Sequence, residues 1–156
     1  MQEAKLKIKK AVWTELIKEL RKRGKGVQES GAFLLGRIGT NEILQFKCYD
    51  DLDPDCLGGI ITFKGSAYSL LWNYCTDNQL TVLADVHTHP GSWTGQSGSD
   101  QQHPMISQIG HIAIIVPNYA QKRRTSLKGV GFYKYLGEKK WEIFKTTKKA
   151  LQITII

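Results

Sequence analysis

The chain has 156 residues, a formal net charge of +8 and 41% hydrophobic residues, enough to bury one core without disulfide support. No apolar run reaches the roughly eighteen residues of a membrane helix, and the lysine-alternating start is unlike a secretory leader. This composition argues against a membrane protein, a low-complexity chain or a disulfide-built secreted domain, and we expect one cytoplasmic domain over residues 1–156.

Cys48, Cys56 and Cys75 are odd in number and form no Cys-x-x-Cys pair, as expected of reduced thiols without a disulfide or zinc-ribbon role. Charge is unevenly placed. Residues 1–25 carry nine Lys/Arg against three Glu, residues 121–156 ten against two, and residues 26–120 three against nine Asp/Glu. Basic flanks of this kind suit nucleic acid or an acidic partner. Aromatic residues are not interleaved with them, which favours solvated surface and leaves nucleic acid as the alternative.

In chain order, Lys5 to Lys9 alternates with period two and reads as an edge strand. Trp13, Leu16, Ile17 and Leu20 then mark one face of a helix that ends at Arg23-Gly24-Lys25-Gly26. Ala32 to Leu35 reads as a buried core strand with Glu29 at its entry. Ile43 to Tyr49 reads as a second strand, joined to it as a hairpin through Gly39-Thr40-Asn41. Asp50 to Asp55 is expected to be a loop, either a solvated turn or a contact for a basic partner. Ile60 to Phe63 suggests a short strand. Ser66 to Asn78 suggests a helix capped by Ser66, with Leu70, Leu71, Tyr74 and Cys75 inward and Trp72 on the opposite face.

Leu80 to Val86 is a short apolar run with β-branched residues, a buried strand. His111 to Val116, Gly129 to Tyr135 and Trp141 to Phe144 follow as strand-like segments, with Lys122-Arg123-Arg124 on the loop between the first two. Leu151 to Ile156 is an apolar tail that either pairs with another chain or closes the sheet. Strands and helices mix without βαβ repetition, so the expected class is α+β, in mixed α/β layers.

Residues two apart on a strand point the same way, so His87 and His89 present both imidazoles to one side as the Leu80 strand ends. Asp100 returns to them through a loop containing Gly91, Gly95 and Gly98. Two imidazoles and a carboxylate give three protein ligands, the usual set of a catalytic zinc that keeps its fourth position open.

His87-Thr88-His89-Pro90 followed by Ser97-Gly98-Ser99-Asp100 resembles the signature of the JAMM metalloproteases, also called MPN-plus or JAB domains: His-x-His-x7-Ser-x2-Asp. Each fixed position matches. Glu29, ahead of the apolar segment Ser30 to Gly36, stands where that family has its upstream glutamate. The resemblance runs from about Leu6 to about Phe144 and implies a JAB/MPN-like domain with a central mixed sheet flanked by helices.

By the same resemblance, one Zn2+ sits on His87, His89 and Asp100, and its water attacks a carbonyl with Glu29 as general base and Ser97 stabilising the oxyanion. The implied activity is that of a zinc-dependent peptidase or isopeptidase. It would free a ubiquitin-like protein from a conjugate or trim its C-terminal tail, with E1/E2-like enzymes of the same pathway as partners. The short chain is similar to compact prokaryotic members, which occur in antiviral defence and in sulfur-carrier pathways. Two departures are Val86, where the family often has a bulky aromatic, and Ser30-Gly31-Ala32, where many relatives have paired glycines.

Trp93 either contacts a substrate tail or anchors its loop. His103, beside Pro104, is placed to touch substrate or a ligand's partner. His111 reads as a structural histidine, and Asp85 either orients a ligand imidazole or caps the strand. No His-Glu-x-x-His helix, zinc-deaminase pattern or Gly-x-Ser-x-Gly elbow is present. The alternative functions are a JAB-like nucleic-acid-associated module, suggested by the basic flanks, and a non-catalytic interaction module.

Overall fold

The computed structural model describes residues 6–122, 124, 126–144 and 152–156. In order, the chain forms β1 (Leu6–Ile8), α1 (Lys10–Gly24), β2 (Gly31–Arg37), β3 (Glu42–Ile43), β4 (Gln45–Cys48), α2 (Tyr49–Leu52) and α3 (Gly65–Asn78). Then come β5 (Leu80–Thr88), α4 (Gly98–Gln102), β6 (Ile112–Val116), a 3-10 turn (Asn118–Ala120), β7 (Gly131–Gly137), β8 (Lys140–Phe144) and β9 (Ile153–Ile155). The main sheet has the order β4-β2-β5-β6-β7-β8. Its pairings are antiparallel except β5 with β6, which is parallel.

Period two along β2 and β5 builds the layers. Leu34, Ala84 and Val86 join the α1 stripe of Trp13, Leu16, Ile17 and Leu20 in one buried cluster. Phe33 and Leu35 point the other way, into a cluster with Leu71 and Cys75 of α3. A strand buried on both faces needs no polar alternation, which is why Ala32 to Leu35 is uniformly apolar. The mixed α/β layering is the class expected from the sequence.

Several local expectations are corrected. β1 is the middle strand of a small parallel sheet, order β3-β1-β9, and not an edge. Only one face of β1 packs, so Ile8 is buried while Lys7 is exposed; Lys5 lies outside the described residues. Of the apolar tail, residues 153–155 form β9 beside β1 and so close this sheet within the chain; Leu151 lies outside the described residues. Ile43 to Tyr49 is split, because the chain passes from the small sheet (β3) to the main one (β4), and Tyr49 turns inward as the first residue of α2.

The acidic stretch is neither a plain solvated turn nor open to a basic partner along its length. Asp50 and Asp51 pair with Arg23 of α1 at 3.0 and 2.7 Å, and Asp53, 2% exposed, accepts the backbone N–H groups of Asp55 and Lys64. Ile60 to Phe63 is not a strand; it follows Gly58 and Gly59, both at positive φ, and lays Phe63 edge-on against Phe33. The N-cap of α3 is Lys64 without a side-chain bond, not Ser66. Leu70 is 54% exposed, because Ala67, Leu71 and Cys75 form the inward stripe. Trp72 is exposed and stacks on Tyr68 one turn back. No helix among the described residues is long and apolar enough to cross a membrane.

Gly31 starts β2 where side-chain space is absent. A Cβ there would meet the buried Tyr49 ring and lie 2.7 Å from the Val86 carbonyl oxygen. Gly31→Ala is therefore expected to destabilise the protein by about 1–3 kcal/mol, read as a lower urea midpoint. An unchanged midpoint would mean that Tyr49 yields without cost.

Candidate metal centre

β5 runs between β2 and β6 and ends at Thr88, with His87 opposite Gly31 on one side and Ile115 on the other. Because Val86 faces α1, His87 faces the α3 side. There its Nε2 lies 3.1 Å from His89 Nε2 and 3.4 Å from Asp100 Oδ1, and His89 Nε2 lies 3.1 Å from Asp100 Oδ2. These donor atoms all fall within 4.8 Å of one another and form a group able to hold a metal ion. Bonds of about 2.1 Å in a tetrahedral site separate ligand atoms by about 3.4 Å. The spacing fits a small divalent ion bound by nitrogen and oxygen.

Each ligand has a local reason to be there. His89 is 4% exposed; its Nδ1 lies 3.2 Å from the Trp93 carbonyl oxygen, and the Trp93 ring stacks on the imidazole at 5.6 Å. Donation from Nδ1–H to that carbonyl turns Nε2 toward Asp100, as the ring nitrogen available to a metal ion. The loop is drawn back by Asn118 N–H to the Gly91 carbonyl at 2.9 Å and by the Tyr133 hydroxyl, which donates to the Thr94 carbonyl. Ser97 then caps α4. Its Oγ accepts the Asp100 N–H at 3.1 Å, and Asp100 Oδ2 accepts the Ser97 N–H at 2.9 Å. Ser-x-x-Asp is thus a reciprocal capping box as well as a ligand spacing, a signal present in the sequence but not read there.

Glu29 enters through a second clamp. Ser30 N–H donates to Thr88 Oγ1 at 3.0 Å, Thr88 N–H to the Ser30 carbonyl at 2.9 Å, and Ser30 Oγ–H to the Leu20 carbonyl at 2.8 Å. Both side chains are fully buried. They tie the residue after Glu29 to the residue between the two histidines. Neither was singled out from the sequence as a positioning group.

Glu29, His87, Ser97, Asp100 and His103 line one cleft of about 590 Å³ with apolar walls that include Phe63, Tyr68, Met105 and Trp141. That size suits a small ligand or an extended peptide segment. The Trp141 indole donates to the Gln101 carbonyl at 3.1 Å, joining β8 to α4. Trp93, 61% exposed, touches His89 and lies outside the cleft lining. Asp85 neither orients a ligand imidazole nor caps the strand. It lies 2.6 Å from His111 Nε2 and accepts the Tyr49 hydroxyl at 3.0 Å, so His111 is the structural histidine expected.

Burial favours a neutral Glu29 and raises its pKa, with Asp100 adding to the rise and the His87 and His89 imidazoles opposing it. Burial would lower the pKa of His87, but its bond to Asp100 and that carboxylate's charge outweigh this and raise it. Burial acts upward on Asp100, yet its bonds to His87 and His89 hold it well below the usual carboxylate range. Burial pushes the Cys48 and Cys56 thiols up to about 12, which leaves no thiolate nucleophile at either.

No protein-family model matches the chain. Solved structures do resemble it. A protein of Desulfitobacterium hafniense aligns over 97% of this chain and 92% of its own, with 14% identity and a TM-score of 0.64. One from Salinibacter ruber aligns over 90% and 89%, with 13% identity and a TM-score of 0.59. A JAB1/MPN domain protein of Archaeoglobus fulgidus aligns over 97% and 100%, with 16% identity and a TM-score of 0.50. The chain has a JAB1/MPN-like fold.

The raised pKa of His87 lets a proton compete with a metal ion for its Nε2 up to a higher pH than at an ordinary imidazole. Zinc affinity, measured by chelator competition, is therefore expected to fall as pH is lowered from about 8 to about 6, approaching tenfold per unit for each proton displaced. Affinity independent of pH over that range would remove His87 from the ligand set.

Proposed function

We propose that the chain is a zinc-dependent peptidase or isopeptidase that acts on the C-terminal tail of a ubiquitin-like protein. The observation that carries this reading is the convergence of His87 Nε2, His89 Nε2 and the Asp100 carboxylate beside a cleft that also holds Glu29 and Ser97. A divalent ion bound there supplies Lewis acidity toward a carbonyl and lowers the pKa of water toward neutrality.

The chain's own residues do the rest. Glu29, with its pKa raised by burial, takes a proton from the attacking water at a carboxylate oxygen as the new carbon–oxygen bond forms. It passes that proton to the nitrogen as the carbon–nitrogen bond breaks, so the amine leaves neutral. Ser97 Oγ already accepts the Asp100 N–H, and its own hydroxyl proton remains to donate to the developing oxyanion. The apolar walls at Phe63, Met105 and Trp141 exclude water and hold the substrate chain extended across the site. His103, which lines the cleft after α4, is assigned to substrate contact in this reading. Trp93 supports His89 from behind.

A ubiquitin-like substrate, E1/E2-like partners and a part in antiviral defence rest on the motif resemblance, and a cytoplasmic setting rests on the composition and cysteine usage of the sequence. The cleft is compatible with a tail but does not select one. A non-catalytic module is the weaker reading, because Glu29 and Ser97 accompany a complete ligand group.

The test is metal content and hydrolysis of a panel of ubiquitin-like fusions carrying C-terminal extensions. Wild type is expected to hold one zinc. His89→Ala should lose both metal and activity. Glu29→Gln should keep the metal and lose about 10²- to 10⁴-fold in kcat. No zinc under metal-replete conditions, or full activity in Glu29→Gln, would overturn the proposal.

A further inference from the structure

α1 presents a second site that shares no residue with the cleft. Thr14, Ile17, Lys18 and Arg21 follow one another at helical spacing and, with Arg124 from the segment before β7, line a cavity of about 170 Å³. Three of these five side chains are cations and none is an acid.

The two guanidiniums are fixed in place. Arg21 Nε donates to the Ala120 carbonyl at 2.8 Å, and Arg124 Nη1 to the Lys128 carbonyl at 2.7 Å. Each keeps further N–H groups for other acceptors. Arg124 Nε is buried and has no acceptor among the described residues. Burial lowers the pKa of Arg124 from its ordinary value, the direction expected of a cation without a counter-charge.

Arg23, on the same helix, shows the contrasting case: Glu19, Asp50 and Asp51 neutralise it from within the chain. Lys18, Arg21 and Arg124 have no ion-pair partner among the described residues. Three like charges around one cavity repel, and an unpaired buried N–H is costly. An anion in the cavity relieves both.

We propose that this cavity binds the phosphate group of a phosphomonoester. Guanidinium forks match phosphate oxygens in pairs, Lys18 adds a point charge, and the Thr14 hydroxyl adds a donor. The ester is either a free small molecule or the terminal phosphate of a nucleic-acid strand, and the probes below separate the two.

The full chain is titrated at near-physiological salt with inorganic phosphate, adenosine monophosphate, and a short oligothymidylate bearing either a 5′-phosphate or a 5′-hydroxyl. Binding is followed by amide chemical shifts and calorimetry. Saturable binding at one site is expected in wild type, about tenfold or more weaker in Arg21→Gln/Arg124→Gln. Lys18→Gln, an exposed change that spares both guanidinium anchors, should weaken binding several-fold without altering the melting temperature. Zinc content should be unchanged in all variants, which keeps this site distinct from the metal centre.

Equal affinity for the mononucleotide and the phosphorylated strand would assign a free ester. A preference for the phosphorylated strand over both the mononucleotide and its hydroxyl twin would assign a strand end. Absence of saturable binding to phosphate, to the mononucleotide and to the phosphorylated strand alike would overturn the proposal. So would binding that persists in Lys18→Gln and the double variant, or oligonucleotide binding indifferent to the 5′-phosphate.

Discussion

The candidate centre depends on the register of β5 between β2 and β6. Side chains alternate along a strand, so a slip of one residue would carry His87 and His89 from the cleft face to the face that packs on α1. Ala84 and Val86, buried in the α1 cluster, oppose that slip through apolar burial. Ser30 and Thr88 oppose it through hydrogen bonds, since each supplies the other's backbone N–H with an acceptor. Ser30 Oγ also bonds to the Leu20 carbonyl, so α1, the start of β2 and the end of β5 meet at one point. Glu29 precedes Ser30 directly. The bonds that set the ligands' register therefore also set the distance of the proposed base from them.

What could be read from the sequence follows from how local each signal is. The α1 stripe, the apolar core of β2 and the His-x-His strand end are patterns of neighbouring residues, and each is found where its period puts it. Asp100 was nameable because ligand chemistry restricts the residue types. The helix that carries it was missed, since α4 has only five residues and no buried side chain, and so lacks any apolar period. The position of β1 was unreadable for a different reason: whether a strand is an edge depends on β3 and β9, distant in sequence. Ile60 to Phe63 has the composition of a strand, but here that apolar content serves packing of Phe63 and the cleft wall without backbone pairing. Trp93 left two roles open, and the contacts found are those of a support for His89.

Charge shows the same limit. The acidic middle and the basic N-terminal flank meet in space, because Arg23 of α1 pairs with both Asp50 and Asp51 of α2. Surface ion pairs of this kind contribute little to stability individually. Their consequence is spatial: they remove one arginine of α1 from the exposed charge and leave Lys18 and Arg21 beside Arg124. Net charge alone could not distinguish the neutralised cation from the unneutralised ones.

The candidate ligand group is held in position by the fold itself. Asp100 is held by the cap of α4, and the His89 tautomer by the Trp93 carbonyl, both through bonds that fold the chain. Rotamer freedom at these side chains is therefore lost on folding and not again on metal binding, which favours affinity. Without a metal, the raised His87 pKa and the depressed Asp100 pKa both favour an ion pair, with the proton on the imidazole and the carboxylate ionised. The centre is built around a positive charge in either state, proton or metal. Glu29 feels that charge through His87 and His89 while burial acts in the opposite direction. This opposition, burial against two imidazoles, is the balance that the proposed proton-transfer role of Glu29 would require.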